Sequence, residues 1–322
     1  MTTIGRAGSV AIVACLASML LAASARADTR PPKLRRPRSG VQFTVGPVAV
    51  ERGKEITECT YFKLPRKRDL DVNKVQIKES GGTHHVHLYR PQDPNLDLAD
   101  GHEACNFALD FSVWQLILAS QSLELTWRLP PGVAFHFRGG EQLAAQTHFV
   151  DSGLLTTPTG EGWAVFNLFR MPKRRLKFYA GAIFGQDRDV VVPPGSSSAT
   201  TRCIFPRPVK LLALTGHYHY RGVDFTAGTW DGTTGTQIYH QVGYDHPTFL
   251  RFAANDIPTV TGLQWTCSYV NTGTETYTFG PFTDNNEHCN LFAFYYPTER
   301  NHDHETITCV QEHGIVTTVV HQ

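Results

Sequence analysis

Two short histidine runs carry the most specific chemistry in this chain. The first is Gly81-Gly82-Thr83-His84-His85-Val86-His87 and the second is Gly216-His217-Tyr218-His219. Side chains on a strand alternate between faces, so His217 and His219 point the same way, about 6–7 Å apart. Two imidazoles at that spacing suit two ligands of one copper, zinc or iron ion. In the first run, adjacent histidines reach a common ion only where the strand bends or ends, and the preceding Gly81-Gly82 favours a bend. Otherwise His85 and His87 share a face in the ordinary way. Two single histidines, His148 in Gln146-Thr147-His148 and His288 before Cys289-Asn290-Leu291-Phe292, read as structural by pattern alone. No HExxH or Ser-His-Asp signature offers a competing hydrolase reading.

The elements that must position these residues read as strands. Val41–Val45 alternates and is closed by Gly46-Pro47; Thr83–Tyr89 and Ala144–Val150 follow the same pattern. Further along, Lys210–Leu214, Gln237–Val242, Gly262–Val270, Leu291–Tyr296 and Gly314–Val320 read as short strands. Gly81-Gly82, Pro130-Pro131-Gly132, Gly139-Gly140 and Pro193-Pro194-Gly195 supply turns. The one helical stretch is Asp110–Ser120, which also reads as a loop turn. Many short strands with regular turns predict an all-β fold of two consecutive, jelly-roll-like β-sandwiches. The boundary falls near Arg170-Met171-Pro172-Lys173, giving domains 41–171 and 172–322. No internal repeat of fixed period is visible.

The 322 residues are long enough for two ordinary domains, and 41% hydrophobic residues can fill their cores. A net charge of +1 excludes a basic nucleic-acid binder, because phosphate neutralisation needs clustered cations. The single basic run, Lys33–Arg38, lies in the proline-rich segment 28–40 and reads as a solvated linker. Residues 1–27 have the layout of a signal peptide. Arg6 precedes an apolar run of 14, Val10–Ala23, and Ala25-Arg26-Ala27 predicts cleavage after Ala27. That run is short of the about 20 apolar residues a membrane span needs. A secreted or periplasmic location follows, without stable membrane insertion after cleavage. Removal of the signal takes Cys15 and leaves Cys59, Cys105, Cys203, Cys267, Cys289 and Cys309. An even count in an exported chain reads as disulfides, and the sequence by itself does not select the pairing.

Taken together, the His-His strand, the later Q-x-H strand ending in Asp151, the Pro-Pro-Gly turn, the H-x-H strand and the Cys-Asn-Leu motif resemble the type II, ascorbate-dependent copper monooxygenases. This is the family of peptidylglycine α-hydroxylating monooxygenase and dopamine β-monooxygenase. The resemblance runs from about residue 41 to about residue 315 and rests on the order and spacing of the pieces. It implies two β-sandwiches with one copper each, two per chain. His84, His85 and His148 would hold an electron-transfer copper. His217, His219 and His288 would hold the oxygen-activating one and act as the catalytic group. Asn290, Thr215 and Phe292 would border a small organic substrate. Ascorbate would be the reductant and dioxygen the co-substrate, with the two coppers separated by a solvent-filled cleft. The pairing Cys59–Cys105, Cys203–Cys309 and Cys267–Cys289 is also implied by the resemblance.

Two positions depart from the family. His288 stands where the family has methionine, replacing a soft thioether by an imidazole and implying a lower copper potential. Thr215 stands where peptide-amidating members carry arginine, and a hydroxyl cannot make the bidentate bond to a carboxylate. Peptide amidation is therefore not expected. The alternative on the same scaffold is an exported, non-catalytic copper-binding or electron-transfer protein. The nine remaining histidines, His87 among them, read as surface or core residues.

Overall fold

In the computed structural model, residues 31–65, 68–105, 112–150 and 160–322 are described. The signal segment with its cleavage site, the first residues of Asp110–Ser120, and Asp151 lie outside them. The chain is all-β, with two disulfide-stapled sandwiches in succession.

The first sandwich stacks two sheets. One runs in the order Gly40–Ala49, Glu161–Arg170, Leu70–Glu79, Val133–Phe137, Phe178–Tyr179, with Glu124–Arg128 also paired to Leu70–Glu79. The other runs Gly101–Ala104, Glu55–Lys63, Gln142–Val150, Thr83–Pro91, Trp114–Ser120. Thr83–Pro91 and Gln142–Val150 are neighbours and are buried at every residue. Strands covered on both faces cannot show polar alternation, and these carry histidine, glutamine and arginine as well as apolar residues.

The second sandwich is built on one nine-stranded sheet. Its spine is the 23-residue strand Gly195–His217. The first part of that strand pairs with Thr259–Asn271; from Lys210 onward it also pairs with Asn290–Tyr296. Register slips between Ile204 and Val209. Pro206 and Pro208 fall in that interval and have no N–H to give the ladder. His217 ends the spine, opposite Asn290.

The helical expectation for Asp110–Ser120 is corrected: Trp114–Ser120 is a strand paired with Thr83–Pro91. All seven of its residues are buried, and an apolar run buried all round has no periodicity to separate strand from helix. The first sandwich's sheet also takes Phe178–Tyr179, in parallel with Val133–Ala134. The sheets therefore divide a little beyond residue 171.

The three disulfides join Cys59 to Cys105, Cys203 to Cys309, and Cys267 to Cys289. Each lies within one sandwich, and together they suit an oxidising environment. No helix among the described residues is long and apolar enough to cross a membrane.

The two sandwiches share an apolar core. Phe294 of the second meets Trp127 and Phe135 of the first at 5.2 and 6.1 Å between ring centroids, and Phe249 lies 5.3 Å from Trp127.

Candidate metal centre

All six histidines of the two implied triads converge at this junction, and they form one cluster rather than two. His84 lies 5.4 Å from His85, 5.3 Å from His148, 4.9 Å from His217 and 5.7 Å from His219, ring centre to ring centre. His288 completes the far side, 4.2 Å from His219 and 5.3 Å from His217. None of the six is more than 7% exposed. Two sites parted by a solvent-filled cleft are therefore not what the fold builds. The apolar packing between the sandwiches brings His84 and His85 against His217.

The backbone explains how adjacent His84 and His85 enter one cluster. Thr83 is paired with Phe149 and His85 with His148, so the register slips at His84. A bulge inserts one residue and re-aims its side chain. Gly82, at φ +80°, supplies the preceding turn. On the other sandwich, Gly216 lets the strand lie against Phe225; a Cβ there would fall 2.5 Å from that ring.

Neighbouring groups set which ring nitrogen is free. His217 Nδ1 donates to Gln121 Oε1 at 2.6 Å, while the Gln121 amide nitrogen donates to the Gly216 carbonyl at 2.7 Å. His219 Nδ1 donates to the Asn286 carbonyl at 3.2 Å. These bonds leave Nε2 of both rings as lone-pair donors, as partners behind a metal-ligating histidine do. His84 Nε2, His85 Nδ1, His219 Nε2 and His288 Nδ1 are buried and have no hydrogen-bond partner among the described residues. A buried imidazole nitrogen without a partner is costly, and several in one cluster fit a metal ion. Among the described residues, His84, His217 and His219 bring one ligand atom each to within 4.8 Å of the others.

Burial, then the neighbouring imidazoles, holds His84, His85, His217 and His288 well below the usual histidine range. Burial brings His219 down to about 3. The rings are neutral at physiological pH, the form that binds metal. His148 Nε2 donates to Glu55 at 2.8 Å. Burial opposes ionisation of Glu55, yet bonds from His148 and from the Thr283 N–H and hydroxyl outweigh it and bring the carboxyl down to about 2.

Sequence reasoning missed four residues here. His87 is buried and stacks on His85 at 4.2 Å, with Nδ1 in reach of Gln146 and Tyr89 and Nε2 unpartnered. Its i, i+2 spacing to His85 was the available signal. Gln121 and Glu55 lie far along the chain from the residues they hold, and nothing local marks them. Glu287 is fully buried and accepts the N–H groups of His219 and Arg221 at 3.1 and 2.8 Å, tying the H-x-H segment to the one carrying His288. Burial raises its carboxyl to about 7 against those bonds.

The expected substrate-side residues also reach the junction. Phe292 lies 4.6 Å from His87 and 6.0 Å from His217. Asn290 is buried with its side-chain oxygen unpartnered. Thr215 is buried, with Gln121 Nε2 3.5 Å from its hydroxyl.

No protein-family model matches the chain, and no curated protein matches it. Among solved structures, the major capsid protein P2 of bacteriophage PM2 aligns over 81% of this chain and 99% of its own, at 9% identity and a TM-score of 0.32. A chain from the triple jelly-roll fold and turret assembly of an archaeal virus aligns over 81% and 60%, at 8% identity and 0.21. The VP2 subviral particle of infectious bursal disease virus aligns over 84% and 76%, at 9% identity and 0.19. Likeness this low bears on neither the site nor the function.

Proposed function

We propose that this protein is a copper-dependent monooxygenase that hydroxylates a C–H bond of a small organic substrate, with dioxygen as co-substrate and ascorbate as reductant. One observation carries the reading: six buried imidazoles from both sandwiches converge, several with ring nitrogens that no described residue satisfies. The donor set is all imidazole, which suits copper. Copper held there would supply one-electron chemistry with dioxygen, drawing its electrons from ascorbate. One oxygen atom would go to the substrate carbon and one to water, with the two electrons and two protons coming from ascorbate.

The chain's own residues do the rest. Gln121 and Asn286 orient His217 and His219 and fix their tautomers. Glu55 holds His148. The shared apolar core keeps water from the rings, and Phe292 and Asn290 offer a small, partly apolar wall with one unpartnered carboxamide oxygen. The lack of arginine at Thr215 argues against peptide carboxylates as substrates.

The test is metal analysis of the mature protein followed by ascorbate-dependent oxygen uptake against a substrate panel. The reading expects bound copper and a hydroxylated product formed in step with oxygen consumed. Protein that takes up no copper would end it. His288→Met should preserve or raise turnover by restoring a thioether, and loss of all copper in that variant would count against the proposal.

A second reading, a non-catalytic copper carrier, is favoured by the burial of the rings, since none is more than 7% exposed. It predicts copper binding with no product from any substrate.

A further inference from the structure

The geometry points to a metal site that spans the two sandwiches: a single copper ion held jointly by His84 of the first and by His217 and His219 of the second, clasping the halves together. This ligand set differs from both in-domain triads implied by the sequence. It rests on the reading of the cluster as a copper centre.

Four observations carry it. His84, His217 and His219 place one ligand atom each within 4.8 Å of the other two. The free nitrogens are defined: His84 Nε2 and His219 Nε2 are buried and unpartnered, and the bond from His217 Nδ1 to Gln121 leaves His217 Nε2 as the lone-pair nitrogen. His148 is not one of these three; its Nε2 donates to Glu55, which is itself held by Thr283 of the second sandwich. Finally, one group that orients a ligand crosses the junction, while Asn286 orients His219 from within the second sandwich. Gln121 belongs to the first sandwich yet positions His217 of the second. Such an arrangement makes the site complete only when the sandwiches are packed as seen here, so binding favours that packing by mass action.

The strand bulge at His84 has a specific role in this arrangement. Without it His84 would face away from His85, whereas with it His84 reaches His217 at 4.9 Å. His85, stacked on His87, then lines the centre beside the ion.

The experiment uses the mature chain and Cu(I) alone, titrated against a colorimetric chelator that sets the free-ion concentration. His84→Gln and His217→Gln, ligands from different sandwiches, should each weaken the first copper equivalent at least about tenfold. If His217→Gln leaves that equivalent unchanged while His148→Gln abolishes it, the ion belongs to the first sandwich alone and the clasp is overturned. Because a substituted chain can fail to fold, the unmutated protein loaded with one equivalent gives an independent answer. Anomalous scattering from its crystals should place copper among His84, His217 and His219. Copper on His84, His85 and His148, or on His217, His219 and His288, overturns the clasp and leaves the copper reading standing. No copper bound by either method overturns both.

Discussion

Burial keeps the clustered imidazoles of His84, His85, His87, His217, His219 and His288 neutral, and their tautomers decide what they can hold. Gln121 is the clearest lever, since it fixes His217 from the opposite sandwich. Gln121→Ala removes that bond and frees the ring, so the copper affinity should fall about 10–100-fold in chelator competition. A separate residue-scale strain lies at Glu79, which is 4% exposed. Burial raises its carboxyl well above the ordinary value of 4.5, and the nearby Ser120 hydroxyl offsets only part of this. The folded chain therefore holds that proton more tightly than the unfolded one. Its contribution to stability is present below pH 4.5 and is lost as pH rises toward the folded value. Glu79→Gln keeps the shape without the charge. At pH 7 it should resist urea better by about 1–3 kcal/mol, with the gap closing near pH 4.

At the level of elements, the site depends on where strands break their register. The bulge at His84 and the close approach of Gly216 to Phe225 each put a histidine where regular strand geometry would not. Gly216→Ala forces a methyl into the Phe225 ring, and the strand must move just before His217. We expect a loss of about 1–3 kcal/mol in thermal unfolding, accompanied by weaker copper binding. The Cys267–Cys289 bridge fixes the residue next to His288, and the Tyr269 hydroxyl donates to the His288 carbonyl at 2.6 Å. Replacing both cysteines by serine should cost about 2–5 kcal/mol in denaturant unfolding. Strand positions were legible where alternation or glycine and proline punctuation marked them, as at Gln237–Val242. Trp114–Ser120 was not, because burial on every side erases the pattern that separates strand from helix.

Across the whole molecule, the apolar contact between sandwiches is what merges the histidines. Trp127 and Phe135 on one side meet Phe294 on the other. A junction of this kind makes the halves interdependent, so calorimetry of the metal-free protein should show one transition rather than two. Phe294→Ala should lower stability by about 3–5 kcal/mol through the cavity it leaves, and should separate the transitions if the junction is the coupling element.

The amino-acid sequence by itself determined the all-β class, the strands that carry the histidines, and the six cysteines from Cys59 to Cys309 that form disulfides, because alternation, turn residues and cysteine count are local or compositional signals. Only the tertiary structure decided that the six histidines form one buried cluster, that His87 belongs with them, that Gln121 holds His217 from across the junction, and that Thr283 reaches across it to the Glu55 that holds His148. The physical reason is that these contacts join residues up to some 230 positions apart, such as Glu55 and Thr283. Pairings that distant are set by how two finished sandwiches pack, and no stretch of sequence records that.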